Sequence, residues 1–410
     1  MDITELLISK GIFNNTTLKG KVAVVTGGGG GIGYEAARAL AWLGAHVVIA
    51  EINKATGLAA VEEINRQIGR KAATFFYVDI SNATSIVELA EKLNQNLGQV
   101  DIVLNNATVI SLGAVKEVSI NNWDTSYQVN LRGPVLLAQQ FLPGMLKRNY
   151  GVFVSVSSSG AAPYMGPYEV MKVAQTELAH TIAAELEGTG VYAFTIGPGL
   201  VKTTTAMDAI EKIAPLYGKT VEEFYEMSEN QIISAEAAGA GFAAAIALAD
   251  KFNGQEIGST QALHVAGINI YDNDSKAENT NISHEIILEI EPICKRVLEA
   301  FIDQHDGWKK RPLFERMWVL RDFNKHASMP VDQWLNILTN MQAACGEGNI
   351  KALLQIKAPI NKLVAYIIHL QDLAKGYVKD KNELEKSLMY LKKWQQDTEA
   401  LESLMAKLYK

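Results

Sequence analysis

Eight residues constrain this chain more than any others. Thr26–Gly33 reads TGGGGGIG, directly after the β-branched run Lys21–Thr26 (KVAVVT) and at the start of the helical periodicity of Gly31–Leu43. Gly27, Gly31 and Gly33, the last two flanking Ile32, stand where a side chain would block a tight turn or the close approach of a pyrophosphate. The helix that follows offers free N–H groups and a partial positive charge to such an anion. Glycines alone also make linkers; the strand–turn–helix setting decides for a phosphate turn. Glu51 closes the next apolar run. A carboxylate there accepts from both hydroxyls of an adenosine ribose and repels a 2′-phosphate. The turn contains no Lys or Arg, and the first after Glu51 is Lys54, so the pattern favours NAD over NADP.

The alternation continues. His46–Ala50, Thr74–Val78, Val100–Leu104, Val152–Val156, Val191–Ile196 and Ala262–Val265 are strand-like runs, the first five followed by helical or loop-plus-helical stretches. Seven strands interleaved with helices predict an α/β fold, a doubly wound parallel sheet covered on both faces. A length of 410 residues fits two or three domains, and 48 % hydrophobic residues supply their cores. We expect an N-terminal helical segment over 1–17, a dinucleotide-binding domain over 18–270, and a linker over 271–282, where Tyr271–Ile282 is polar and turn-rich. An all-α region over 283–410 follows. Its candidate helices are Ser283–Asp303, Leu313–Lys325, Val331–Ala344, Asn349–Leu373 and Asn382–Leu408, with Pro359 dividing the fourth. Leu391, Trp394, Thr398, Leu401, Met405 and Leu408 follow a heptad seam, too short for a free coiled coil and suited to a bundle.

The formal net charge is -7. From Glu285 onward 19 basic residues face 17 acidic ones, and before it 38−19 = 19 face 45−17 = 28. Neither part is a nucleic-acid footprint. The two cysteines, Cys294 and Cys345, make no disulfide framework and read as buried, reduced thiols. Met1–Glu5 opens no signal peptide, and the apolar run Ala235–Ala249 is Ala/Gly-rich and short for a bilayer, so we expect a soluble cytoplasmic protein.

Tyr168 and Lys172 are four apart in a helical stretch, which sets both on one face. A phenol titrates near ~10 and is a poor base until a neighbouring ammonium favours its anion. Ser155, Ser157, Ser158 and Ser159 cluster at the end of the fifth strand, and Asn130 lies on the preceding helix. An exposed serine there can bond a substrate oxygen. No group of His, Cys, Asp and Glu has metal-ligand spacing, so no metal is expected and the seven histidines read as structural.

Together these residues resemble the short-chain dehydrogenase/reductase family over Leu18 to Gly267. The resemblance implies that Asp79 and Ile80 contact adenine, that Asn106 and Ala107 border the cofactor, and that Pro198, Gly199, Val201 and Thr203 hold the nicotinamide carboxamide. It implies that Tyr168 is the general acid/base, that Lys172 lowers its pKa and bonds the nicotinamide ribose, and that Asn130 holds a water linking Lys172 to solvent. A serine bonds the substrate oxygen: the family's spacing points to Ser155, whereas the strand end points to Ser158, with Ser157 as runner-up. Two further departures are Thr108, where the family has glycine, and His264–Gly267, where it has Asp-Gly-Gly. The expected function is hydride transfer between NAD(H) and a secondary alcohol or ketone, in a homo-oligomer (dimer or tetramer) that needs neither nucleic acid nor membrane. The alternative is an NAD-binding scaffold or redox-sensing module whose helical extension recruits partners. Met207, Ile210, Ile213, Leu216, Tyr217, Phe224, Tyr225 and Met227 would form an apolar substrate lid or simply pack on the core. The extension, with Trp308, Trp318, Trp334 and Trp394, should be a packed bundle that sets oligomer contacts or covers the substrate mouth.

Overall fold

The computed structural model describes residues 6–158, 162–226, 232–270 and 281–408, apart from 312, 328, 347–352, 354, 355, 357 and 358. Strand β1 (Val22–Thr26) is buried at all five positions, as a strand covered on both faces must be. Val22 and Val24 enter one core, and Ala23 and Val25 the other, because successive side chains alternate across a strand. The remaining strands are β2 (His46–Glu51), β3 (Ala73–Tyr77), β4 (Ile102–Asn105), β5 (Gly151–Val156), β6 (Val191–Gly197), β7 (Leu200–Val201), β8 (Ile232–Ile233) and β9 (Glu256–Gly258). Seven of them form a parallel sheet in the order β3-β2-β1-β4-β5-β6-β9, while β7 and β8 pair separately. The order reverses between β1 and β4, which opens a crevice at the carboxyl ends of those strands.

The helices of this unit are α1 (Gly31–Trp42), α2 (Lys54–Ile68), α3 (Ala83–Leu97), α4 (Ile120–Tyr127), α5 (Gly133–Arg148), α6 (Gly166–Glu185), α7 (Thr204–Ile213), α8 (Val221–Glu226), α9 (Ala235–Ala247), α10 (Ala249–Phe252) and α11 (Ser259–Val265). Helices α1, α9 and α11 cover one face of the sheet, and α3, α5 and α6 the other. The Ala/Gly run belongs to α9. A Cβ on Gly239 would stand 2.5 Å from the Ala36 nitrogen, and one on Gly241 2.6 Å from the Ser259 carbonyl, so small residues let α9 wedge between its neighbours.

One expected strand is corrected. Ala262–Val265 lies in α11, and the seventh strand is β9. The edge strand buries only Ile257 and so carries no apolar run. Ala262 and Leu263 are apolar because they form the buried face of a helix. The N-terminal segment contributes one short 3-10 turn, Leu7–Lys10, and Ile12 N–H donates to the Ala266 carbonyl at 3.0 Å.

The chain divides into two compact units, Met1–Asp272 and Asn273–Lys410. The second contains α12 (Asn281–Lys309), α13 (Leu313–Ala327), α14 (Val331–Gly346), α15 (Ile360–Tyr377) and α16 (Lys381–Leu408). The first of these runs past the expected end at Asp303. Helix α15 begins directly after Pro359, whose missing N–H costs nothing at a helix start; most of 349–358 lies outside the described residues. The seam residues Leu391, Trp394, Thr398, Leu401 and Met405 are buried, as are Trp308 and Trp334. The side chains of Trp318 and Leu408 fall outside those described. Phe323 meets Tyr366 edge to face at 4.7 Å, and Trp334 Nε1 donates to the Ala327 carbonyl at 3.0 Å. Cys294 and Cys345 are buried and unpaired.

Among the described residues, Asp322, His326 and His369 are the group close enough to suggest a metal. The two rings stack 3.9 Å apart and nearly parallel, and one ligand atom from each of the three residues lies within 4.8 Å of the others. Asp322 bonds His369 Nε2 at 3.0 Å, and the trio braces α13 against α15. No described helix is long and apolar enough to cross a membrane.

Trp334 is fully buried at the centre of the second unit's core. Trp334→Ala should destabilise that unit by about 3–5 kcal/mol. Calorimetry should show this as a downward shift of its melting transition, with the first unit's transition little changed.

Candidate functional site

The residues expected to act lie at the carboxyl edge of the sheet: Gly27 after β1, Glu51 at the end of β2, Asp79 after β3, Asn106 after β4, Ser158 after β5 and Pro198 after β6. The glycine turn is tight for a reason the coordinates show. Gly27 and Gly31 have φ of 63° and 53°, where L side chains are strained. A Cβ on Gly33 would stand 2.4 Å from the Gly27 carbonyl oxygen. A Cβ on Gly30 would meet nothing within 4 Å, so the tip of the turn is open. Ile32 is partly buried against the core.

The turn is pinned to β4. Thr26 Oγ1 accepts from the Asn106 and Ala107 N–H groups, both at 3.0 Å. Asn106 Nδ2 donates back to the Thr26 and Gly27 carbonyls at 3.0 and 3.2 Å. Glu51 lies against the turn, with one oxygen accepting from Gly29 N–H at 3.2 Å and the other from Asn53 N–H at 3.0 Å. Asp79 Oδ1 accepts from the Ser81 N–H and hydroxyl, and Ile80 is buried against Gly133. Gly199 has φ of 81°, and Val201 lies in β7. Thr203 caps α7 through its hydroxyl and comes within 3.4 Å of where a Cβ on Gly31 would be, so this segment lies beside the glycine turn.

The serines separate by burial. Ser155 Oγ faces inward and accepts from Asn105 Nδ2 at 3.4 Å, and Ser157 is buried. Ser158 follows β5 and its hydroxyl donates to Glu169 Oε1. Ser159 lies outside the described residues. Burial pushes the Tyr168 phenol up to about 12; the Ser158 hydroxyl lowers it and the Glu169 charge raises it. Lys172 Nζ is 5.8 Å from the Tyr168 ring centroid and donates to the Val156 carbonyl at 2.8 Å. Burial lowers its ammonium to about 8, opposed by the charge of Glu169.

Asn130 sits in a five-residue π turn, Gln128–Arg132, between α4 and α5. Its amide is fully used: Oδ1 accepts from Thr108 Oγ1 (2.8 Å) and Val109 N–H (3.1 Å), and Nδ2 donates to the Val109 carbonyl (2.8 Å) and Ser126 Oγ (3.0 Å). Thr108 in place of glycine thus anchors this loop. The Asn130 backbone carbonyl accepts from Gln175 Nε2, and Gln175 Oε1 accepts from Asn105 Nδ2 at 3.2 Å.

Two site residues escaped the sequence reading. Gln175 is fully buried beneath Asn130, and Glu169, 3 % exposed, receives the hydroxyl of Ser158 on Oε1. An acid one residue after the tyrosine and three before the lysine was the available signal. The lid residues divide as well: Ile210 and Ile213 are core, while Met207 and Leu216 are exposed. Tyr217 donates to the Pro163 carbonyl at 2.8 Å and meets Tyr164 and Phe224 edge to face. Tyr225 lies under Lys202, and Met227 is outside the described residues.

The family described as short chain dehydrogenase matches residues 21–214. An uncharacterised oxidoreductase of Thermotoga maritima is 35% identical over 190 residues, 46% of this chain and 73% of that protein. The D-threitol dehydrogenase of Mycolicibacterium smegmatis is 32% identical over 211 residues, 48% of this chain and 80% of that protein. Among solved structures, NAD+-bound xylitol dehydrogenase superposes with a TM-score of 0.55 at 20% identity, covering 59% of this chain and 98% of that one. A Shigella flexneri short chain dehydrogenase complexed with NADP gives 0.53 at 22%, covering 60% and 100%. The order of the parallel strands, the glycine turn and the extent of these matches place the chain in the short-chain dehydrogenase family.

Proposed function

We propose that the chain is an NAD-dependent oxidoreductase that interconverts a secondary alcohol and a ketone. The observation that carries this reading is the pairing of Tyr168 with Lys172 one turn on along α6, with Lys172 Nζ 5.8 Å from the Tyr168 ring centroid, at the sheet edge that holds the glycine turn. Bound nicotinamide dinucleotide would supply the hydride acceptor or donor. Gly27, Gly31 and Gly33 would admit its pyrophosphate, and Glu51 its ribose hydroxyls. Tyr168 takes the alcohol proton or returns it to a ketone oxygen, and Lys172 favours the phenolate. Relatives named for D-threitol and xylitol support a carbinol substrate. We read the protein as cytoplasmic and homo-oligomeric, with the helical unit as an interface or a cover for the substrate mouth.

Tyr168→Phe should lower kcat by about 100- to 10,000-fold, the usual cost of losing a proton-transferring group, with NAD affinity retained. Activity of a few per cent or more would remove Tyr168 from the role. Because the phenol is raised by burial, alcohol oxidation by the wild type should quicken as pH rises through the neutral range, as a pH series of initial rates will show. NAD bound without turnover of any secondary alcohol would instead favour a redox-sensing module.

Glu51 should make kcat/KM higher with NAD than with NADP, since its carboxylate repels a 2′-phosphate. Glu51→Ala should narrow the gap, and equal use of both cofactors by the wild type would overturn the assignment. A chain ending near residue 275 tests the extension. An interface role predicts a smaller assembly by light scattering with NAD still bound, and a covering role predicts a changed KM at unchanged mass. Unchanged mass, stability and kinetics would refute both.

A further inference from the structure

Asp322 and His326 stand four apart on α13, so their side chains share one face of that helix. His369 on α15 reaches the same place from 47 residues away, which no local spacing reveals. The Asp322 carboxylate serves both rings: Oδ2 is 3.0 Å from His369 Nε2, and Oδ1 is 3.4 Å from His326 Nδ1. Among the described residues its ion-pair partners are these two imidazoles, with no Lys or Arg in competition. Zinc holds nitrogen and carboxylate ligands at about 2.0–2.1 Å, so the corners of its tetrahedron stand roughly 3.3 Å apart. The two N···O separations fall on either side of that length. One ligand atom from each of the three residues lies within 4.8 Å of the other two. The rings are stacked at 3.9 Å, and a turn of one imidazole about its soft Cβ–Cγ torsion lets the two lone pairs converge.

We propose that Asp322, His326 and His369 bind one zinc ion, with a water as fourth ligand. Two imidazoles and a carboxylate suit zinc and its transition-metal neighbours, whereas magnesium and calcium take oxygen ligands. The side chains of His326, Asp322 and His369 are 30%, 17% and 27% exposed, so an ion can enter from solvent and keep a water. The protein without metal fills the place with protons. His326 Nδ1 donates to the Asp322 backbone carbonyl at 2.9 Å, and His369 Nε2 donates to the carboxylate. A dication replaces them once each neutral imidazole carries its hydrogen on the other nitrogen. The ion ties α13 to α15 directly over the aromatic core, where Tyr366 meets both Phe323 and His369. The unfolded chain does not hold the three residues together, so binding stabilises the folded second unit. The site is independent of the reaction proposed for the first unit.

The test uses the full chain without a histidine tag, dialysed against EDTA. Zinc chloride, titrated in competition with a chromogenic chelator, should bind at one ion per chain with a Kd on the order of 1 µM, three ligands making a weaker site than four. Saturating zinc should raise the melting transition of the second unit by about 5 °C or more, and magnesium chloride should leave it in place. Asp322→Asn and His369→Gln should each weaken zinc binding by about 100-fold and cancel the shift. With cobalt(II) as the probe, proton NMR should show hyperfine-shifted imidazole N–H signals from two histidines. The cobalt spectrum should lack a thiolate charge-transfer band, which separates this site from Cys294 and Cys345. If the ligand variants fail to fold, the wild-type cobalt signals decide. Zinc bound only above about 100 µM overturns the site. So do wild-type zinc affinity in Asp322→Asn and His369→Gln, a cobalt form without two shifted histidines, and a thiolate band; any of these leaves the trio a hydrogen-bonded brace.

Discussion

The Thr26 hydroxyl and the Asn106 amide hold the first crossover loop against the end of β4. The Thr26 hydroxyl serves three backbone partners and the Asn106 side chain two, in the crevice where the sheet reverses direction. A glycine turn has little stiffness of its own, since glycine loses more conformational freedom on folding than any other residue. The neighbouring strand supplies that stiffness, and with it the opening toward a phosphate. Glu51, Ile80 and Thr203 take their places around a turn already fixed.

The parts of the fold with a repeated pattern were legible in the sequence. Five mostly buried strands, β1, β2, β4, β5 and β6, announce themselves because both faces are covered, the half-buried edge strand β3 does so through its aromatic run, and the amphipathic helices of the second unit do so through their seams. The edge strand Glu256–Gly258 was illegible because one buried isoleucine makes no pattern, and α11 took its place because a short buried helix face resembles a strand. Among site residues, the tyrosine and lysine were legible by spacing. Glu169 and Gln175 were not, because a polar residue in a helix reads as solvated until its burial is known. The distinction among Ser155, Ser157 and Ser158 also required the structure, since Ser155 ends β5 and the other two follow it, and they differ in burial and partners.

The helical unit has a core of a different kind. The first unit packs alanine and valine between layers, whereas the second is held by large rings: Phe301, Trp308, Phe323, Tyr366 and Trp394 meet edge to face or tilted. Such rings bury large apolar area at few positions, which suits helices joined by short connections. The brace of Asp322 with His369 closes the rim of this core by hydrogen bonding.

The π turn at Gln128–Arg132 has an evolutionary consequence. It is one residue longer than an α-helical turn, with Gly133 N–H reaching back to the Gln128 carbonyl. A deletion of one residue there would let α4 and α5 fuse into a regular helix, a change that local backbone energetics would welcome. The wider turn takes up the extra residue, so α5 would still turn Leu137, Phe141 and Met145 toward the sheet. What a regular helix would lose is the seat of Asn130, whose side chain ties down the Thr108–Val109 loop and whose carbonyl meets Gln175. The irregularity is kept by the loop it anchors and would be the first part of this helix pair to relax if that loop were free to drift.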